Sequence, residues 1–147
     1  MKLVVQRVSR ASVEVDGEIT GQIDEGLMVL VGFGVDDTTK EADYLAKKLL
    51  KLRIFQDENG RMNKSVKDID GKLLLVPQFT LYASTKKNRP SFHKALNPDR
   101  ATELFEYFKE RCCDGVDVES GVFGAYMKVD LLNNGPVTIL LEKEFDD

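Results

Sequence analysis

From Leu27 to Gly34 the chain reads Leu-Met-Val-Leu-Val-Gly-Phe-Gly, with no polar side chain anywhere in the run. A half-buried strand alternates apolar and polar positions, so an unbroken apolar run of this length argues for a strand covered on both faces. The rest of the chain must therefore supply covering layers. Two segments suit the task. Between Thr38 and about Leu52, Ala42, Leu45, Ala46, Leu49 and Leu50 recur at helical spacing, and Thr38 with Glu41 forms a capping box. Between Pro98 and about Cys113, Ala101, Leu104, Phe105, Phe108 and Cys112 make one stripe. Asn97 suits the N-cap, Pro98 the first helical position and Gly115 the stop.

The remaining segments read as strands and turns. Leu3 to Val8 and Ser12 to Val15 are expected as short strands, and Asp16-Gly17 as a type I′ turn leading into Glu18–Ile23. Asn59-Gly60 marks another turn. Lys72 to Leu81, Tyr126 to Leu132 and Val137 to Leu141 complete the set. The expected class is α/β: a mixed, curled, barrel-like sheet with two main helices packed on it, in a single domain spanning 1–147.

Composition narrows the chemistry. Without a run of 18 apolar residues there is no candidate transmembrane helix, and the N-terminus lacks a signal-peptide pattern, so a cytoplasmic, membrane-free protein is expected. Cys112 and Cys113 are adjacent, which suits neither a disulfide nor a zinc site; Cys112 reads as packed and Cys113 as incidental. His93 is the only histidine, so imidazole chemistry has one candidate at most. No metal and no cofactor is expected. The net charge of −4 argues against broad nucleic-acid binding, yet Lys86, Lys87, Arg89 and Lys94 form a local basic stretch.

Four features could carry function. Asn133-Asn134-Gly135-Pro136-Val137-Thr138 reads as a turn between two strands, where Pro136 removes a donor, permits a cis bond and leaves bare carbonyls at a rigid corner. In Lys72–Leu81, Pro77 should end strand pairing and free the amides of Gln78, Phe79 and Thr80. Free amides beside a hydroxyl are parts of an oxyanion hole; a polar strand end is the alternative. Arg7, on the face of Leu3 and Val5, needs an acceptor if buried, and the Gly-Pro carbonyls would serve; an exposed strand end is the alternative. Phe123-Gly124-Ala125-Tyr126-Met127 places small residues between large ones, which admits a flat ligand or merely fills a core.

Taken together, Gln6-Arg7-Val8, Ala11-Ser12-Val13, Gly26-Leu27, Leu52-Arg53-Ile54-Phe55, Gln78-Phe79-Thr80-Leu81, Arg89-Pro90-Ser91-Phe92, Phe123-Gly124-Ala125 and Asn133-x-Gly135-Pro136-Val137-Thr138 resemble the D-aminoacyl-tRNA deacylase family, in the family's order. The resemblance implies that family's fold and a hydrolase of the ester joining a D-amino acid, or glycine, to the 3′ end of tRNA. It implies a homodimer in which Gly135 and Pro136, joined in cis, cross into the partner's active site and reject L side chains sterically. By the same resemblance the Phe79 amide stabilises the oxyanion, with Gln78 and Thr80 completing the catalytic set. Arg7 holds the Gly-Pro corner, and Asn133, Pro77, Phe123, Gly124, Ala125 and Met127 contact the substrate. Thr80 lacks a visible base, so the ribose 2′-OH is the favoured activating group. The family usually places serine where this chain has Pro77, which brings a branch with relaxed chirality, acting on an L-aminoacyl-tRNA, into view as the alternative. A nonenzymatic RNA- or protein-binding domain is the third.

Overall fold

In the computed structural model, which describes residues 1–145, the chain runs β1 (Lys2–Val15), β2 (Glu18–Ile23), β3 (Gly26–Gly32), α1 (Thr39–Lys51), β4 (Phe55–Gln56), β5 (Met62–Lys64), β6 (Lys72–Pro77), α2 (Pro98–Cys112), β7 (Val118–Ser120) and β8 (Lys128–Glu142). A 3-10 turn, Phe79–Tyr82, follows β6. Asp146 and Asp147, the end of the expected domain, lie outside the described residues.

The apolar run is the spine of the sheet. β3 lies between β1 and β6, antiparallel to the first and parallel to the second, and every residue except Leu30 is buried. Its alternate side chains serve two cores. Leu27, Val29 and Val31 face the helices with Leu3, Val5, Leu73 and Leu75. Met28 turns the other way, toward Val8, Val13, Ile23, Leu74 and Val76.

β1 is one strand rather than the expected two. Its residues 2–8 pair with β3 and 11–15 with β2, while β8 follows the opposite edge of both halves. Ser9 and Arg10 read as a break because they are polar; they are exposed yet stay extended, with Arg10 paired to Leu132. The change of partner bends the sheet until β2 approaches β7. Gly21 permits this, since a Cβ there would stand 2.8 Å from the Ser120 carbonyl oxygen. The product is a nearly closed barrel with the second core inside it.

The helices match their sequence signals. The Glu41 carboxylate accepts from the Thr38 N–H and hydroxyl, both at 2.9 Å, and Asn97 Oδ1 accepts from the Arg100 N–H at 3.0 Å. Ala42, Leu45, Ala46 and Leu49 of α1, with the α2 stripe of Ala101, Leu104, Phe105, Phe108 and Cys112, bury the helix-side core. Truncating any of the large ones to alanine should cost about 2–5 kcal/mol. Asp16 and Gly17 both have positive φ, as the expected tight turn requires. No helix among the described residues is long and apolar enough to cross a membrane.

Two expected strand segments change. Tyr126–Leu132 and Val137–Leu141 are not joined by a turn: both fall in the single strand β8, apart from Tyr126 and Met127, which precede it. Lys72–Leu81 ends as a strand at Pro77. The physical causes of both lie in the site.

Candidate active site

β6 carries the chain into the site through four residues, Leu73 to Val76, buried on both faces. Pro77 still aligns with Val31, and the Gln78 N–H donates to the Val31 carbonyl at 2.8 Å, so pairing outlasts the proline by one residue. The Gln78 amide is therefore committed to the sheet, contrary to expectation. Beyond it the chain leaves the sheet, because the Leu81 N–H turns back to the Gln78 carbonyl and closes the 3-10 turn. The first N–H groups of such a turn have no partner within it. Those of Phe79 and Thr80 find no acceptor among the described residues, and both side chains are exposed.

The turn is fixed from both ends. Tyr82 is buried behind it, and burial, with the Asp37 carboxylate next, pushes its phenol far above the ordinary value, so the ring stays neutral. Phe79, 56% exposed, meets the ring of Phe92 edge to face at 4.9 Å. No carboxylate or imidazole among the described residues hydrogen-bonds Thr80. His93 is bonded instead to the Ser91 hydroxyl at 3.2 Å.

The Gly-Pro stretch is a bulge. Gln6 pairs with Thr138 and Val8 with Asn133, so Asn134, Gly135, Pro136 and Val137 all stand opposite Arg7. Asn-Gly-Pro chemistry suits a hairpin and a bulge alike; only alignment with β1 separates them. The Gly135–Pro136 peptide is cis, and Gly135 has φ +145, which only glycine adopts readily. Asn133 ties the bulge across its base. Its Oδ1 accepts the Val137 N–H at 2.8 Å, and its Nδ2 donates to the Thr138 hydroxyl at 3.0 Å.

Arg7 is 9% exposed. Its acceptors are not the Gly135 and Pro136 carbonyls: Nε donates to the Asn134 carbonyl at 2.8 Å and Nη1 to the Ile54 carbonyl at 2.7 Å. The guanidinium thus clamps the bulge from one residue before Gly135 and bonds neither of the next two carbonyls. In the sequence Ile54 stands only within the motif Leu52-Arg53-Ile54-Phe55, with no role as an acceptor, because a backbone oxygen carries no side-chain signature.

The small-residue segment divides. Phe123 turns to the helix-side core, its ring 6.3 Å from Phe105. Ala125 closes a turn onto the Val122 carbonyl, and Gly124, at φ +79, faces open space. Met127 packs toward the barrel interior beside Pro77. A Cβ on Gly121 would lie 2.7 Å from the Met127 sulfur and 3.7 Å from Pro77 Cδ. Gly121 is thus the position that lets Met127 approach the end of β6; its sequence signal, a second glycine three residues before Gly124, was there to be read.

Within the chain the two halves do not meet. Pro77 is level with Val31, Leu3 and Leu141, whereas the bulge is level with Arg7. At about 3.3 Å per residue and 4.8 Å per strand, the bulge lies roughly 13 Å along and 14 Å across the sheet from Pro77.

Comparison with known proteins agrees with this architecture. A solved structure described as "c-Myc DNA Unwinding Element Binding Protein" is 44% identical, covers 99% of this chain and 100% of its own, and superimposes with a TM-score of 0.93. Another, described as "Structural Analysis of a probable eukaryotic D-amino acid tRNA deacylase", shares the fold at 19% identity, with a TM-score of 0.80 over 95% of this chain and 97% of its own. The family described as D-Tyr-tRNA(Tyr) deacylase matches residues 4–142. With nearly the whole chain matched, the protein belongs to the D-Tyr-tRNA(Tyr) deacylase family and is a hydrolase of D-aminoacyl-tRNA.

Proposed function

We propose that the protein works in the cytoplasm as a homodimer in which the Gly135–Pro136 corner of each protomer enters the other's site and tests the chirality of the esterified amino acid. The separation of the corner from Phe79 within one protomer carries this reading, since the two can act on one ester only if they come from different copies. Exposed apolar side chains support it: Leu132 and Leu140 on β8 offer surface that a second copy would cover.

In this reading water attacks the ester carbonyl and the Phe79 N–H receives the developing oxyanion. Gln78 and Thr80 border the reacting group. The 2′-OH of the terminal ribose activates the water, whose proton passes to the departing 3′ oxygen, giving free amino acid and tRNA. Among the described residues Thr80 has no base to make it a nucleophile. The carbonyls of Gly135 and Pro136 occupy the space an L side chain needs. Glycine has no side chain to exclude, so glycyl-tRNA, including tRNA-Ala mischarged with glycine, is also cleaved. Asn133 and Arg7 position the corner. Pro77, Phe123, Gly124, Ala125 and Met127 border the terminal nucleotide.

Pro77 favours a second reading, a deacylase with relaxed chirality acting on an L-aminoacyl-tRNA, because it removes a hydroxyl and an amide from the approach to Gln78. Ester loss from D-Tyr-tRNA and L-Tyr-tRNA decides between the two: D-specific hydrolysis is expected, equal cleavage of both supports the second reading, and cleavage of neither overturns both.

A further inference from the structure

The basic stretch noted in the sequence is a built element beside the site. Ser84 and Ser91 exchange both backbone hydrogen bonds, at 2.8 and 3.0 Å, and close Thr85–Pro90 into a hairpin tip. The tip carries Lys86, Lys87 and Arg89, all exposed and free of ion pairs or side-chain hydrogen bonds to any described residue. Immediately past the closing pair comes Phe92, whose ring meets Phe79, so the base of the hairpin is docked on the catalytic turn. Lys94 belongs elsewhere. Its carbonyl accepts the Val35 N–H at 3.0 Å, and it borders a cavity of about 220 Å³ with Asp36, Asp37, Glu41 and Glu144.

We infer that Lys86, Lys87 and Arg89 grip the last phosphates of the tRNA 3′ strand while its ester lies at Phe79, an inference that rests on the deacylase site proposed above. Reach permits it. From Thr80 to Lys86 the chain spans at most about 20 Å, the length of about six stacked nucleotides. Charge favours it too. The net charge of −4 includes these three cations, so the rest of the chain carries −7 and repels a polyanion. A docked trio of cations beside an exposed aromatic on such a chain orients an incoming nucleic acid, with the exposed Phe79 face available to a terminal base. A merely solvated loop would need neither the closing pair nor the seat on Phe79.

The test compares the wild type, the triple variant K86A/K87A/R89A, and a control, K40A/K47A/K48A, that removes equal charge from the exposed side of α1. For each, kcat/KM is measured on D-Tyr-tRNA and on D-tyrosyl-adenosine, which lacks the phosphates, at 50–200 mM salt. Losing three phosphate contacts should lower the ratio of the two values by about 10²-fold at 0.1 M salt and flatten the log–log salt slope by about 2–3. The control should do neither. A ratio and slope that stay at wild-type values overturn the inference, and so does an equal fall on both substrates. If neither substrate is hydrolysed by the wild type, the deacylase reading fails separately. Affinity for uncharged tRNA, measured by anisotropy, then decides this point: an undiminished value in the triple variant overturns the grip, and a selective loss sustains it.

Discussion

Replacing Arg7 by lysine tests whether the bulge is held as described. The two guanidinium nitrogens serve carbonyls on different elements, Asn134 on β8 and Ile54 just before β4, at 2.8 and 2.7 Å. A lysine has one nitrogen, so it keeps at most one of these bonds and leaves the other carbonyl without a donor. A hydrogen bond to a charged group contributes about 1.5–3 kcal/mol, so the expected loss is about 2 kcal/mol, a factor of about 30 in the folding equilibrium. With a urea m-value of roughly 2 kcal/mol/M, the unfolding midpoint should fall by about 1 M. Activity should fall further than stability explains. The bulge carbonyls would no longer be aimed, and a misplacement of about 1 Å can cost about 10²-fold in rate. The assay pairs urea unfolding, followed by circular dichroism, with initial rates on D-Tyr-tRNA at 20 °C in buffer where the variant remains folded. Arg7→Met, which removes both bonds, should be worse on each measure. A lysine variant within about 0.5 kcal/mol of wild type and at full rate would refute the clamp.

Thr80→Ala should retain D-Tyr-tRNA hydrolysis within a few-fold if the ribose activates the water. A loss of about 10³-fold or more, read from kcat, would make the hydroxyl an essential group instead. Cys112 is buried and its thiol pushed up to about 12 by burial, with Cys113 beside it, whereas Cys113 is exposed. A disulfide reagent at pH 8 should therefore count one reactive thiol in the native protein and two in urea. For Glu41, burial raises the carboxyl, but the hydrogen bonds from Thr38, together with those from the backbone N–H groups of Glu41 and Phe145, outweigh it and hold the net value below the ordinary 4.5. A lowered native value means stability that is complete above pH 4.5 and drains away as pH falls through the native value. Unfolding free energies of wild type and Glu41→Gln, taken from urea titrations, should accordingly differ by about 1 kcal/mol at pH 6 and converge as pH falls through the native value.

The helices were legible because their signals are local. Thr38 with Glu41, Asn97 with Pro98, and the two apolar stripes each lie within a few turns of one another. β3 was legible because burial on both faces leaves its mark on every residue. What failed was whatever depends on a distant partner. Ser9 and Arg10 look like a break until β8 is seen beside them. Asn134-Gly135-Pro136 looks like a hairpin until Gln6 and Val8 fix the alignment on either side. The period-two pattern runs through Pro77 to Leu81 without marking where the backbone turns, because a 3-10 turn of four residues is too short to impress its own period. At the candidate site the side chains could be named from sequence. Their orientation could not, since the acceptors of Arg7 are both backbone oxygens.

β8 has a further effect through its outer rim. Fifteen residues long, it pairs among the described residues with β1 alone, so its far edge is a template on which a stray extended peptide could polymerise. The bulge interrupts that template midway, and Pro136 contributes no N–H to it, so an alien strand could zip along only half the rim before losing step. The same few atoms that would judge an amino acid's handedness also guard the fold against amyloid-like stacking.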